Sequence, residues 1–398
     1  MVFDYDGYRL PEDFPVDGNE TTAEKVSAIS SYLVHTEKIA TCIIVNCLTV
    51  NIRQPNDKTA GYNSNFLVGD KGYGKTSMLE ILYKNNYENM IVTPQKHFES
   101  SMYERDDKDF VGKTWLNYDA ISCFTTSKAQ QRDQLVAFYT ETLSDGRYER
   151  DRAGAIETDY NLVYGMAMNR FNEFQKDLHD STIFDRVVPI YMFFSQEQID
   201  DIELGAERNI RNANKYGLPT VRLPYRKEVH KLKNKVKFNY GDDEIAREIR
   251  RLSRELSDMS GLAKTRANKY VANFIFANAY LNGRIDDNKT VVKPSMADVK
   301  LFDYIKEVHL PFSKDSLDYA LYCSIVNFCN ENRCSSVSLK QLFDTEEVEE
   351  YFKGTKVKEE IIRNDVTTSV HDLINRGLII KVQNLGQKDA ILKLKSRA

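Results

Sequence analysis

The 398-residue chain has no long hydrophobic run. Its most apolar stretches, such as Ile39 to Val50, are too short or too interrupted by polar residues to span a bilayer, which takes about 20 apolar residues. It has no C-x-x-C pair either. The six cysteines (Cys42, Cys47, Cys123, Cys323, Cys329 and Cys334) are spread over apolar segments away from the six histidines, so buried free thiols are expected rather than disulfides or zinc. Neither sign of charge dominates: 55 basic against 59 acidic residues leave −4, which excludes coating of nucleic acid by bulk electrostatics and allows only a regional basic patch. Met1-Val2-Phe3-Asp4-Tyr5-Asp6 carries acid where a secretory leader carries base and then an apolar core, so a cytoplasmic protein with no membrane partner is expected. What is present is ordinary globular material, 41% hydrophobic and 29% charged, in a length that suits two or three domains.

One motif stands out. Gly69-Asp70-Lys71-Gly72-Tyr73-Gly74-Lys75-Thr76 matches G-x-x-x-x-G-K-[ST] and lies between a strand-like Phe66-Leu67-Val68 and a helical Ser77 to Leu82. In that setting the free N–H groups and positive end of the helix dipole face phosphates. Lys75 then neutralises phosphate charge and Thr76 ligates Mg²⁺, with Gly69 through Ser77 as the nucleotide-binding set. The alternative is a chance glycine-rich turn.

Around this motif the pattern alternates. Thr22 to Val50 has helical spacing; Met90 to Thr93 and Lys113 to Asp119 look like strands, the second ending in a carboxylate. Asp119, at the end of a strand expected to neighbour the P-loop strand, would hold Mg²⁺ through water; the other reading is a turn aspartate. Ser127 to Ser144 is an amphipathic helix, and Gly146 to Thr158 a hairpin with Arg147, Arg150 and Arg152 near its tip. Leu162 to Met168 reads as a buried strand ending at Asn169, and Arg186 stands just before another apolar strand. Alternating strands and helices from about 60 to 195 predict an α/β sheet of the three-layer kind. Glu207 to Lys237 is expected to be helical and rich in Lys and Arg. Beyond about residue 310 the order helix, helix, helix and hairpin is that of a winged helix, with Val366, Val370, Leu373 and Ile374 facing its core and Arg363, His371, Arg376, Lys381 and Lys388 available to a DNA backbone or, as such modules also do, a protein partner.

In this order the features resemble the AAA+ ATPases, and among them the clade with a β-hairpin just before the sensor 1 strand. The resemblance places Walker A at Gly69 to Thr76, Walker B at Asp119, the hairpin at about Arg147 to Asp159, sensor 1 at Asn169 and the arginine finger at Arg186. Ala263 to Tyr270, then Ala277-Asn278-Ala279-Tyr280-Leu281-Asn282-Gly283-Arg284 and Val291 to Val299, are similar to the lid of the minichromosome maintenance (MCM) helicases, with Arg266 as sensor 2. The likeness covers roughly residues 60–305. It implies an N-terminal helical segment (1–55), a AAA+ P-loop α/β core (56–200), a helical lid (201–309) and a winged helix (310–398).

The resemblance further implies ATP and Mg²⁺ bound between the subunits of a homo-oligomeric ring, a hexamer, that moves along or opens single-stranded or duplex DNA in replication, in a nucleoid-associated setting. Arg186 would act on the neighbour's nucleotide, and the hairpin arginines would grip phosphates in the channel. Their alternative is ordinary surface pairing, Arg186 with Asp185 and the hairpin with Glu149, Asp151 and Glu157. One residue departs from the pattern: Ala120 stands where a water-orienting glutamate is expected, with Ser122 and Glu141 the nearest substitutes. Residues 84–113 leave little room for that family's insertion in the second helix, so a compact core is expected. A second expectation is an ATP-switched origin initiator or helicase loader, which tolerates slow hydrolysis. A third is a regulatory P-loop ATPase acting on protein partners.

Overall fold

A computed structural model describes residues 8–53, 62–92, 111–120, 129–145, 147–150, 154–177, 182–216, 218–225, 236–238, 243–288, 290–313, 316–332, 336–353, 359–375, 378–381 and 391–394. By internal contacts the chain forms two units: residues 1–254 with 265–309, and residues 255–264 with 310–398.

The first unit opens with α1 (Glu20–Ser30) and α2 (Glu37–Cys47), joined by a tight turn in which His35 has a left-handed φ of 61°. Then follow β1 (Ile52–Arg53), β2 (Ser64–Gly69), α3 (Lys75–Lys84), β3 (Met90–Val92), β4 (Val111–Asn117) and α4 (Ala129–Asp145). Next are β5 (Arg147–Arg150), β6 (Gly154–Glu157), β7 (Asp159–Ala167), α5 (Met168–Asp177), β8 (Val187–Met192) and α6 (Gln196–Tyr216). The series continues with β9 (Val236–Phe238), α7 (Asp243–Ser260, of which residues from Glu255 on count with the second unit), α8 (Lys264–Leu281, from Thr265 on in the first unit), β10 (Val291–Val292) and α9 (Met296–Ile305).

Five strands make one parallel sheet in the order β3-β4-β7-β2-β8. Every residue of β2 and β8 is buried, as a sheet covered on both faces requires. Alternate residues of β2 show what covers each face. Phe66 and Val68 join Trp115, Tyr139, Tyr164, Phe171 and Phe174 in an aromatic core against α4 and α5. Asn65 points the other way, to Asn46 of α2 (2.9 Å) and the Tyr270 hydroxyl of α8 (2.7 Å). The fold of this unit is therefore mixed α/β with helices on both faces of a parallel sheet. Pro189 interrupts β8 without harm because β8 is an edge strand: its missing N–H faces away from the sheet, and its carbonyl accepts from His309 Nδ1 (2.8 Å).

Two expectations need correction. The strand that precedes Asp119 does not neighbour the P-loop strand, because β7 lies between β4 and β2. Glu207 to Lys237 is not one helical region: α6 stops at Tyr216, Val221–Tyr225 has no regular structure, and β9 pairs in parallel with β1 and β10. Pro219 and Pro224 explain the break, since each lacks the N–H a helix needs.

The second unit contains α10 (Leu317–Glu331), β11 (Ser336–Ser338), α11 (Leu339–Phe343), α12 (Glu346–Phe352), α13 (Glu359–Asn375), β12 (Ile379–Lys381) and β13 (Ile391–Leu394). Its sheet is antiparallel in the order β11-β13-β12. Val366, Val370 and Leu373 are fully buried in its core and Ile374 packs against it, as their helical spacing predicts. Two elements escaped the sequence reading: β11, only three residues long, and α12, whose acidic composition conceals the buried Val348. Arg363 is exposed over the Phe343 ring and His371 is exposed, while Arg376 and Lys388 lie outside the described residues.

Candidate functional site

All five strands of the main sheet run the same way, so their carboxyl ends gather at one edge. β2 ends at Gly69, paired with Ala167 of β7 on one side and Met192 of β8 on the other. The loop that follows turns through two left-handed glycines, Gly72 (φ 92°) and Gly74 (φ 81°), before α3 begins at Lys75. Those values suit glycine and strain any other residue. Lys75 Nζ folds back on its own loop and donates to the carbonyls of Gly69 (2.7 Å) and Asp70 (2.6 Å). Burial lowers its pKa, opposed by the charges of Asp70 and Asp119. The electrostatic reach of Asp119 to Lys75 places this carboxylate on the loop's side of the sheet. Thr76 is exposed on the first turn of α3.

Asp119 follows β4, a strand two positions from β2, and Gly165 explains how it reaches the loop. After Asn117 the chain leans over the end of β7: Ala120 N donates to the Gly165 carbonyl (2.9 Å), and Asn117 Oδ1 accepts from Asp119 N (2.9 Å). A Cβ on Gly165 would lie 2.7 Å from the Tyr118 carbonyl oxygen. Only glycine permits that crossing, and no sequence motif marked it. Asp119 is exposed, whereas Ala120 is fully buried in the aromatic core. Asn169 opens α5 two residues beyond Ala167, exposed on the edge between the loop and Asp119, with its Oδ1 accepting from Arg170 N (2.9 Å).

The structure thus brings together Lys75, Thr76, Asp119 and Asn169. It does not bring Arg186 or Arg266 to them. Arg186 precedes Val187, which pairs with Ser64 at the amino end of β2, five register steps or about 17 Å from Gly69. Arg266 lines the same recess as Arg186, beside Asn63. The hairpin β5–β6 also leaves the sheet at the amino end of β7, with Arg147 opposite Glu157 and Arg150 opposite Gly154, while Arg152 lies outside the described residues. Of the two substitutes for the missing glutamate, Ser122 is outside the described residues. Glu141 is at the wrong end: its neighbour Thr142 bonds the Tyr160 hydroxyl (2.7 Å), near the start of β7.

The sequence reading missed a cavity of about 250 Å³ beside the loop. Leu33 and Val34 of the α1–α2 turn, Gly74 and Ser77, and Ile202 and Ala206 of α6 line it. Leu33 also touches the loop itself, since a Cβ on Gly74 would lie 3.0 Å from its Cδ2. Three bonds hold the turn against α6: His35 Nε2 to Asp201 (2.9 Å), Arg208 to the Ser31 carbonyl (3.1 Å) and Asn209 Nδ2 to the Tyr32 carbonyl (2.7 Å). The cavity is close to the ~300 Å³ at which ligand pockets begin, and it is apolar with a few polar edges, as base-sized ligands require. Its lining comes from three separate stretches of chain, so only folding assembles it.

Neither the family models nor the curated proteins compared with this chain include a match.

Among the described residues no group of three His, Cys, Asp or Glu side chains could hold a metal by itself. Thr76 and Asp119 instead offer one hydroxyl and one carboxylate beside the glycine-rich loop, the sparse oxygen set with which Mg²⁺ binds when phosphates and waters supply its other ligands.

Proposed function

We propose that this chain is an ATP-dependent DNA translocase or helicase, similar to the MCM-type AAA+ core with helical lid and winged helix, working as a hexameric ring with ATP between subunits. The observation that carries this reading is the division of charge along the sheet: Lys75, Thr76, Asp119 and Asn169 meet at the carboxyl edge, while Arg186 and Arg266 stand together at the other.

In this reading the backbone N–H groups of the loop cradle the phosphates and the apolar cavity takes the base. Lys75, now bonded to loop carbonyls, turns to the β- and γ-phosphates as they displace it. Thr76 and Asp119 hold Mg²⁺, which neutralises charge developing on the phosphates. Asn169, between them on the edge, orients the attacking water or the γ-phosphate. Arg186 and Arg266 are too far from this nucleotide, so both serve the nucleotide of a neighbouring copy. Arg147, Arg150 and Arg152 are assigned to DNA phosphates, contacts that position without reading sequence.

One observation favours a second reading, an ATP-switched initiator or loader. Ala120 is packed in the aromatic core, so the carboxylate expected beside Asp119 has no counterpart there. Losing such a group costs about 10²–10⁴ in rate.

Steady-state ATP hydrolysis, with and without single-stranded DNA and with Lys75→Ala as control, separates the two. DNA-stimulated turnover that Lys75→Ala abolishes is the expected result. Tight ATP binding with negligible turnover in both conditions would refute the translocase and leave the switch.

A further inference from the structure

A stripe of arginines on α7 lies outside the sites described above. Every exposed position of this helix carries a charge, and the exposed acids stand at its two ends, Asp243 and Glu244 in the first turn and Asp258 in the last. Between them, from Arg247 to Arg254, four arginines are accompanied by Glu248 alone. On the opposite side Ile245, Ile249 and Leu252 are buried, which fixes the rotation of the helix and turns the arginines outward. Arg251 is compensated, by Glu248 (2.8 Å) and by Asp303 of α9 (3.6 Å). The other three are not. Arg247 Nε donates to the Asp243 carbonyl (3.3 Å) and Arg250 Nε to the Ala246 carbonyl (3.1 Å), but among the described residues no carboxylate pairs with either or with Arg254. These bonds steady two of the guanidinium groups through Nε and leave the terminal nitrogens, the fork that fits a phosphate, open to solvent. Lys300, exposed on α9 one turn before Asp303, likewise has no partner among the described residues.

We infer that Arg247, Arg250 and Arg254 form a docking face for the phosphate backbone of duplex DNA, gripped without regard to sequence. Charge complementarity and spacing carry the assignment. A chain of net charge −4 meets nucleic acid only through a regional patch, and this helix bears one. Positions 247, 250 and 254 follow one face at helical spacing and span about 10 Å, the axial rise of about three nucleotides of one duplex strand. α7 contains no aromatic side chain to stack on an unpaired base and no Asn or Gln to read a base edge, so its contacts are with phosphates. A membrane surface fits less well, because the apolar face that a surface helix would insert is buried inside the protein. An acidic protein also fits less well, because no apolar or aromatic anchor stands among the exposed positions of the helix. No nucleotide is needed for such contacts, so binding by this face stands or falls apart from the P-loop.

The test titrates the full-length chain, without nucleotide, into a fluorescein-labelled duplex of mixed sequence at salt from about 50 to 200 mM. Affinity for the unaltered chain is expected to fall with salt. Arg247→Gln, Arg250→Gln and Arg254→Gln should each lower the log–log slope by about 1, and the triple variant by about 3. At about 100 mM salt the triple variant should bind at least about tenfold more weakly, and equally so for duplexes of different sequence. Glutamine is a good helix former and the positions are exposed, so the melting temperature should hold. The matching triple lysine variant keeps the charge and should keep the slope. An unchanged slope in the triple glutamine variant would overturn the assignment and leave any DNA contact to the hairpin, and no duplex binding by the unaltered chain would overturn it outright. Competition by polyglutamate or by phosphatidylserine vesicles that matches unlabelled duplex at equal charge would also overturn it, giving the face to an acidic protein or a membrane surface. Binding of a fluorescent ATP analogue should be the same for the triple variant and the unaltered chain, and it reports on the P-loop separately.

Discussion

At the scale of single residues, a missing Cβ positions Asp119. β4 is separated from β2 by a whole strand, and the segment after Asn117 reaches the loop only by lying against the backbone of Gly165. Gly165→Ala puts a carbon 2.7 Å from the Tyr118 carbonyl, below any ordinary contact, and backbone must move. A stability loss of about 1–3 kcal/mol is expected from the overpacking. The larger effect falls on turnover, down at least about tenfold by displacement of Asp119, with nucleotide affinity nearly unchanged because the loop and Lys75 are untouched. Hydrolysis and fluorescent-nucleotide titration, measured together, check this; equal losses in both would refute it.

Among the elements, α6 closes the cavity beside the loop. Gly205 sits on its buried face, where a Cβ would meet Val34 Cγ2 at an ordinary 3.5 Å. A Cβ at this position is therefore accommodated, the further carbons of Gly205→Leu have the cavity to enter, and replacing a helical glycine adds up to about 1 kcal/mol of helix stability. The larger side chain fills the cavity. The expected outcome is an unchanged or raised melting temperature with ATP affinity reduced at least about tenfold, while inorganic triphosphate, which has no base, binds as before. A parallel loss for triphosphate would show that the cavity does not take the base. The α1–α2 turn opposite is fixed by the His35–Asp201, Arg208–Ser31 and Asn209–Tyr32 bonds, so cavity shape depends on two helices far apart in sequence.

The stability of the molecule as a whole carries a pH signature. His309 is fully buried; desolvation pulls its pKa from 6.5 to about 4, against the pull of the Pro189 carbonyl. Below pH 6.5 the unfolded chain takes up a proton that the folded chain refuses. The contribution is intact above 6.5 and is lost as pH falls toward 4, by about 3 kcal/mol in all. His309→Asn keeps a donor for Pro189 and removes the titration, so its urea-denaturation stability should fall by about 3 kcal/mol less between those pH values. Identical slopes for both proteins would refute the assignment.

The sequence by itself determined the glycine-rich loop between β2 and α3, because Gly72 and Gly74 act through local backbone geometry that any strand–loop–helix of this kind reproduces. It also determined the main helices and strands and the core face of α13, which follow from periodicity within one segment. Tertiary structure decided what depends on segments meeting. The order β3-β4-β7-β2-β8 put β7 between the loop and Asp119, and Gly165 became the crossing point. Three distant stretches built the base-sized cavity, and Tyr270 with three buried asparagines tied α8 to α2 and the amino end of β2. No periodicity or motif encodes such meetings, since they arise from packing between residues as many as 224 positions apart, as Asn46 and Tyr270 are.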